Sequence, residues 1–101
     1  MATLFISEYA DAPYRGVSAA VGSVALEPAA VEQTVAIAGA SAQSASFGAS
    51  TSLVRIHTDV ACCILFGANP TATTTKKRLA ADQTEYFAVV PGQKVAVIAS
   101  A

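Results

Sequence analysis

The stretch from Thr84 to Ser100 reads TEYFAVV, then Pro-Gly-Gln, then KVAVIAS. Two runs rich in β-branched and aromatic residues, each of strand length and separated by a turn signal, leave a chain little choice but a sheet. Pro91 presets φ for the first central position of a turn, and Gly92 supplies the positive φ of the second, which is type II chemistry. The spacing predicts that the two strands lie antiparallel. Tyr86, Phe87, Val89, Val90, Val95, Val97 and Ile98 put large side chains on both faces, so part of this pair needs cover twice. One face belongs to a core, and the other to a second sheet or a neighbouring subunit.

The rest of the chain repeats this grammar. ATLFISE (residues 2–8) reads as an opening strand, followed by a loop with Pro13 and Gly16. Between Val17 and Val31 a short strand at Val21 to Leu26 competes with a helical turn at Pro28 to Glu32. Gln33 to Gly39 reads as a strand, and Ala40 to Ser50 as a small-residue loop or edge strand. SLVRIHT (52–58) alternates Val54, Ile56 and Thr58 with Leu53, Arg55 and His57, the period-2 pattern of a half-buried strand. ACCILFG (61–67) is continuously apolar, and the turn at Asp59-Val60 most simply joins these two runs as a hairpin. Thr71 to Gln83 is the longest polar connection. Five to seven short strands without a sustained 3.6-residue period specify an all-β fold: a small antiparallel β-sandwich or jelly-roll-like domain, with residues 1–101 as one unit.

Composition narrows the partners. The chain has 101 residues, 53% hydrophobic and 13% charged, with a net charge of −1. That charge gives no electrostatic footprint for nucleic acid or an anionic membrane. Lys76-Lys77-Arg78, the one basic cluster, reads as a solvated turn. Alanine fills 23 positions, so burial per residue is modest and self-association is expected. Edges poorly guarded by Lys and Pro point to a dimer or trimer formed through strand surfaces. The N-terminus lacks the basic and apolar regions of a signal peptide, no stretch is long and apolar enough for a membrane-spanning helix, and adjacent Cys62 and Cys63 fit synthesis in a reducing cytoplasm.

No set of residues carries chemistry. His57 with Cys62 and Cys63 is the nearest approach to a metal or nucleophile cluster. Neighbouring cysteines on a strand face opposite ways and a third ligand is missing, so no metal and no cofactor are expected. Asp59 lies across the turn from its use as an orienting group for His57, and Asp82 with Glu85 reads as solvation where a loop meets a strand. No enzyme is expected. Tyr9, Tyr14, Phe47, Phe66, Tyr86 and Phe87 read first as core or interface.

Leu65 to Ser100, LFGANPTATTTKKRLAADQTEYFAVVPGQKVAVIAS, resembles the C-terminal half of small structural proteins of tailed phages and prophages. The shared features are an apolar strand into NP-x-AT, a polar loop closing near LAA, and EYF-x-V-x-PGQK-x-AVI, over about a third of the chain. Such proteins are similar to capsid decoration, or cement, proteins. The resemblance implies a non-enzymatic virion component on the capsid surface, assembled in the host cytoplasm, whose partners are the major capsid protein and further copies of itself. A tail- or fibre-associated module that binds a host-surface glycan or another virion protein is the alternative. The interface candidates are Leu4, Ile6, Tyr9, Tyr14, Tyr86 and Phe87. Residues 1–14 are expected to form either the first strand of the sheet or an arm whose Leu4 and Ile6 fill a neighbour's pockets.

Overall fold

The computed structural model describes residues 2–10 and 28–100, and among them there is no helix. Among these residues eight strands occur: β1 (Thr3–Tyr9), β2 (Val31–Ala36), β3 (Ala42–Gln43), β4 (Leu53–Thr58), β5 (Cys62–Gly67), β6 (Lys77–Leu79), β7 (Thr84–Ala88) and β8 (Lys94–Ala99). They form two antiparallel sheets of four strands, ordered β2-β1-β4-β7 in the first and β3-β8-β5-β6 in the second. The all-β sandwich expected from the sequence is therefore the fold.

Alternation drives the packing. Leu4 and Ile6 of β1 and Val54 and Ile56 of β4 meet Cys62 and Ile64 of β5 and Val95 and Val97 of β8, all fully or almost fully buried. Val54, Ile56 and Thr58 face inward as the alternation requires. A period of two puts every second side chain of a strand against the facing sheet.

Both expected hairpins are instead arches between sheets. The Pro91-Gly92 turn forms with the chemistry anticipated: Gln93 N–H donates to the Val90 carbonyl at 3.2 Å and Gly92 has a φ of 84°. Yet β7 pairs with β4, and β8 pairs with β5 and β3. Likewise, β4 lies in the first sheet and β5 in the second, so His57 faces Thr84 and Phe5 rather than Cys62. When both faces of a strand pair are apolar, crossing to the facing sheet covers more of that surface than pairing with the neighbour in sequence. Two local readings shift as well, and a third falls outside the described residues. Val31 begins β2, so no helical turn runs from Pro28 to Glu32; Lys77 and Arg78 belong to edge strand β6; and the alternative strand at Val21 to Leu26 lies outside the described residues.

If β1 is counted as following β8, the first sheet reads first-eighth-third-sixth and the second reads second-seventh-fourth-fifth, the strand order of an eight-stranded jelly roll. The strand that would close the roll at the C-terminus is supplied here by the N-terminus. Hydrogen bonds bring the two ends together. Ile37 N–H donates to Ala2 O and Asp59 N–H to Thr3 O, while Ala99 N–H donates to Ala38 O and Ser100 N–H to Ala61 O. A circular permutant that joins Ser100 to Ala2 through a linker of about five residues, opened between positions 10 and 28, should fold with a thermal midpoint within a few degrees of the parent. A molten or aggregated permutant would show that β1 does not occupy the closing position.

The roll is pinned on one side by a buried carboxyl group. Glu8 is fully buried and accepts from Gln33 Nε2 at 2.7 Å, from Gly48 N–H at 2.9 Å and from the Thr51 hydroxyl at 2.9 Å. Gln33 in turn accepts from Ala45 N–H at 2.9 Å. Polar atoms in the interior must find partners, so this network ties the segment around residues 45–51 to β1 and β2.

Candidate functional site

The two outer faces of the sandwich differ. On the second sheet, the segment between β5 and β6 folds back over the strands. Gln43 Nε2 donates to Asn69 Oδ1 at 2.9 Å and to Pro70 O at 2.7 Å, Ala72 N–H donates to the Ser41 hydroxyl at 2.9 Å, and the Cys63 thiol donates to Thr74 O at 3.6 Å. Pro70, Ala72, Cys63 and Ala96 are buried beneath or within this roof. The second cover that the apolar C-terminal strand demanded is thus supplied, for β8, by the chain's own polar connection.

The first sheet carries two rows of outward side chains that no described segment roofs. Thr34, Phe5, His57 and Thr84 lie opposite one another across β2, β1, β4 and β7, and the next row is Glu32, Ser7, Arg55 and Tyr86. Phe5 is 41% exposed and Tyr86 44%. The Phe5 and His57 rings are tilted with centroids 6.1 Å apart, and His57 Nδ1 lies 2.8 Å from the Thr84 hydroxyl. An open depression of about 530 Å³ sits here, lined in part by Phe5, Ser7, Thr34, Arg55 and His57. Arg55 makes no hydrogen bond or ion pair with a described residue. Aromatic rings beside an uncommitted guanidinium are the residue types that carry most binding energy in interfaces.

Of the interface candidates among the described residues, only Tyr86 lies on this face. Leu4 and Ile6 are core residues, because β1 is an interior strand between β2 and β4 and not an arm in the described fold. Tyr9 is buried. Phe87 points inward, its ring 5.1 Å from that of Phe66, with Lys77 Nζ 5.8 Å from its centre. Tyr14 lies outside the described residues. Phe5 and Arg55 were missed because a lone aromatic or arginine at an outward strand position has the same sequence signature whether it is solvated or binds something.

Both cysteines are free and fully buried. Burial pushes the Cys62 thiol above its ordinary range, and the thiol donates a hydrogen bond to the Thr58 hydroxyl at 3.5 Å. Neither sulfur reaches His57. What the fold brings to His57 is Asp59, just past β4, and Asp82, in the turn before β7; one ligand atom from each of the three lies within 4.8 Å of the others.

Compared with known proteins, the chain matches no family model, no curated protein and no solved structure.

Proposed function

We propose that this chain is a non-enzymatic virion structural protein, a capsid decoration protein that attaches to the head through the outer face of its first sheet and clamps neighbouring major capsid subunits. The observation that carries this reading is the asymmetry of the two faces among the described residues: one is roofed by residues 68–76, while the other presents exposed Phe5 and Tyr86 beside a half-buried Arg55. The low charge of the chain and the resemblance of residues 65–100 to phage head proteins support it. Attachment by such a face works through area. A standard interface buries about 1,600 Å² in total, each Å² of apolar surface contributes about 25 cal/mol before the costs of association, and symmetry repeats the contact over the shell. Many modest clamps then resist internal pressure together.

Copies of the chain meet along the edges of the first sheet. β6 guards one edge of the second sheet with Lys77 and Arg78 and β3 is only two residues long, whereas β2 and β7 are longer and β2 exposes Val31 at its start. Light scattering on the isolated chain should report a dimer or trimer.

The depression beside Phe5 favours one second reading. An exposed ring with Ser7, Thr34 and Arg55 around it also suits a sugar, stacked on the ring and hydrogen-bonded at its hydroxyls. Incubating the purified chain with expanded heads that lack it, and in parallel with a glycan array, separates the two. Saturable co-sedimentation with heads and a blank array is the expected result. Array binding without head binding would replace the clamp with the glycan module, and binding to neither would reject both.

A further inference from the structure

We propose that His57, Asp59 and Asp82 form a binding site for a divalent transition-metal cation of the zinc class, at the end of the first sheet where the chain crosses to the second. Their ligand atoms, an imidazole nitrogen and two carboxylate oxygens, all lie within 4.8 Å of one another, the one such cluster among the described residues. The three positions come from different parts of the fold. His57 is near the end of β4, Asp59 opens the arch to β5, and Asp82 sits in the turn that leads into β7.

His57 and Asp59 are half-buried and Asp82 is exposed, and the backbone at both aspartates is anchored. Asp82 adopts a φ of 60°, and its N–H donates to Thr58 O at 2.8 Å, so its backbone is anchored to the strand that carries His57. Asp59 is anchored by its own N–H to Thr3 O at 3.2 Å. The Thr84 hydroxyl, 2.8 Å from His57 Nδ1, orients the ring, which is how residues outside the coordination shell commonly hold a metal-binding histidine. Two carboxylates this close repel each other, and no described Lys or Arg forms an ion pair with either. A neutral imidazole and two carboxylates carry a charge of −2, which a divalent ion balances.

The donor set selects the ion. Calcium and magnesium prefer all-oxygen shells, whereas an imidazole with carboxylates suits zinc and its neighbours. Tetrahedral bonds of about 2.1 Å place ligand atoms about 3.4 Å apart, within reach of small side-chain rotations from the present arrangement. Three protein ligands leave at least one position for water. The bound ion would join the β4–β5 arch to the β6–β7 turn and so fasten one end of the sandwich.

The test uses the untagged, metal-stripped chain with Zn²⁺ and Co²⁺ as probes and Ca²⁺ and Mg²⁺ as comparisons. Calorimetry should give one saturable Zn²⁺ site per chain, with a thermal midpoint that rises by several degrees at saturating ion and falls back with chelator. The Co²⁺ spectrum should lack a thiolate charge-transfer band, since Cys62 and Cys63 are buried elsewhere. Asp82→Asn keeps the shape and tolerates the left-handed backbone; together with Asp59→Asn it should weaken Zn²⁺ binding at least tenfold while leaving the metal-free midpoint within a few degrees. No saturable binding at millimolar Zn²⁺, a thiolate band, or affinity unchanged in the double variant would overturn the assignment.

Discussion

Glu8→Ala should lower the thermal midpoint by roughly 12 to 24 °C, one of the largest effects available to a single polar substitution in this chain. The carboxyl group takes three donors, from Gln33, Gly48 and Thr51, and has no exposure to water. Removing it strands buried donors at about 1–3 kcal/mol each and opens a cavity, so a total near 3 kcal/mol is a restrained figure. At about 4–8 °C per kcal/mol for a domain of this size, the range above follows. Glu8→Gln should fall between the two. Its carbonyl can still accept from Gly48 and Thr51, but its amide meets the amide of Gln33, which cannot turn round without losing its acceptor contact with Ala45 N–H. Thermal unfolding followed by circular dichroism checks both; a shift below a few degrees for Glu8→Ala would show that the network does not hold the 45–51 segment.

The second large effect concerns attachment. Arg55→Ala with Tyr86→Ala should weaken binding to heads roughly a thousandfold, since two central hot-spot residues at about 2 kcal/mol each sum to nearly three decades at 1.4 kcal/mol per decade. Both side chains point outward from the first sheet, so the thermal midpoint should barely move. Thr71→Glu, on the exposed part of the roof over the second sheet, should leave binding unchanged. Equal loss from both variants, or from neither, would detach the function from this face.

These expectations rest on features that were unequally legible in the chain. The β-rich class followed from strand-length runs, and the inward set Val54, Ile56 and Thr58 followed from simple alternation, because side-chain parity is a local property. Pairing is not local. Pro91-Gly92 makes the same turn in a hairpin and in an arch, and what decides between them is β4 on one side of β7 and β5 on one side of β8, each some thirty residues away. The same blindness hid the cation cluster. Asp59 and Asp82 are 23 positions apart and converge on His57 only because β4 pairs with β7. Leu4 and Ile6 read correctly as strand residues, but whether an apolar N-terminal strand joins its own sheet or a neighbour's depends on the vacancy between β2 and β4, which no local pattern encodes. The outer face of the first sheet was the least legible part, since Phe5 gains meaning only from the row it shares with His57, and Arg55 from the next row, which it shares with Tyr86.

The most direct test is an image of the head assembled with this chain, at a resolution that separates the two sheets of the sandwich. The predicted result is that Phe5, Arg55 and Tyr86 face the capsid subunits across a junction, with residues 68–76 turned to solvent. Density that places the 68–76 roof against the shell and leaves the first sheet exposed would contradict the clamp described here.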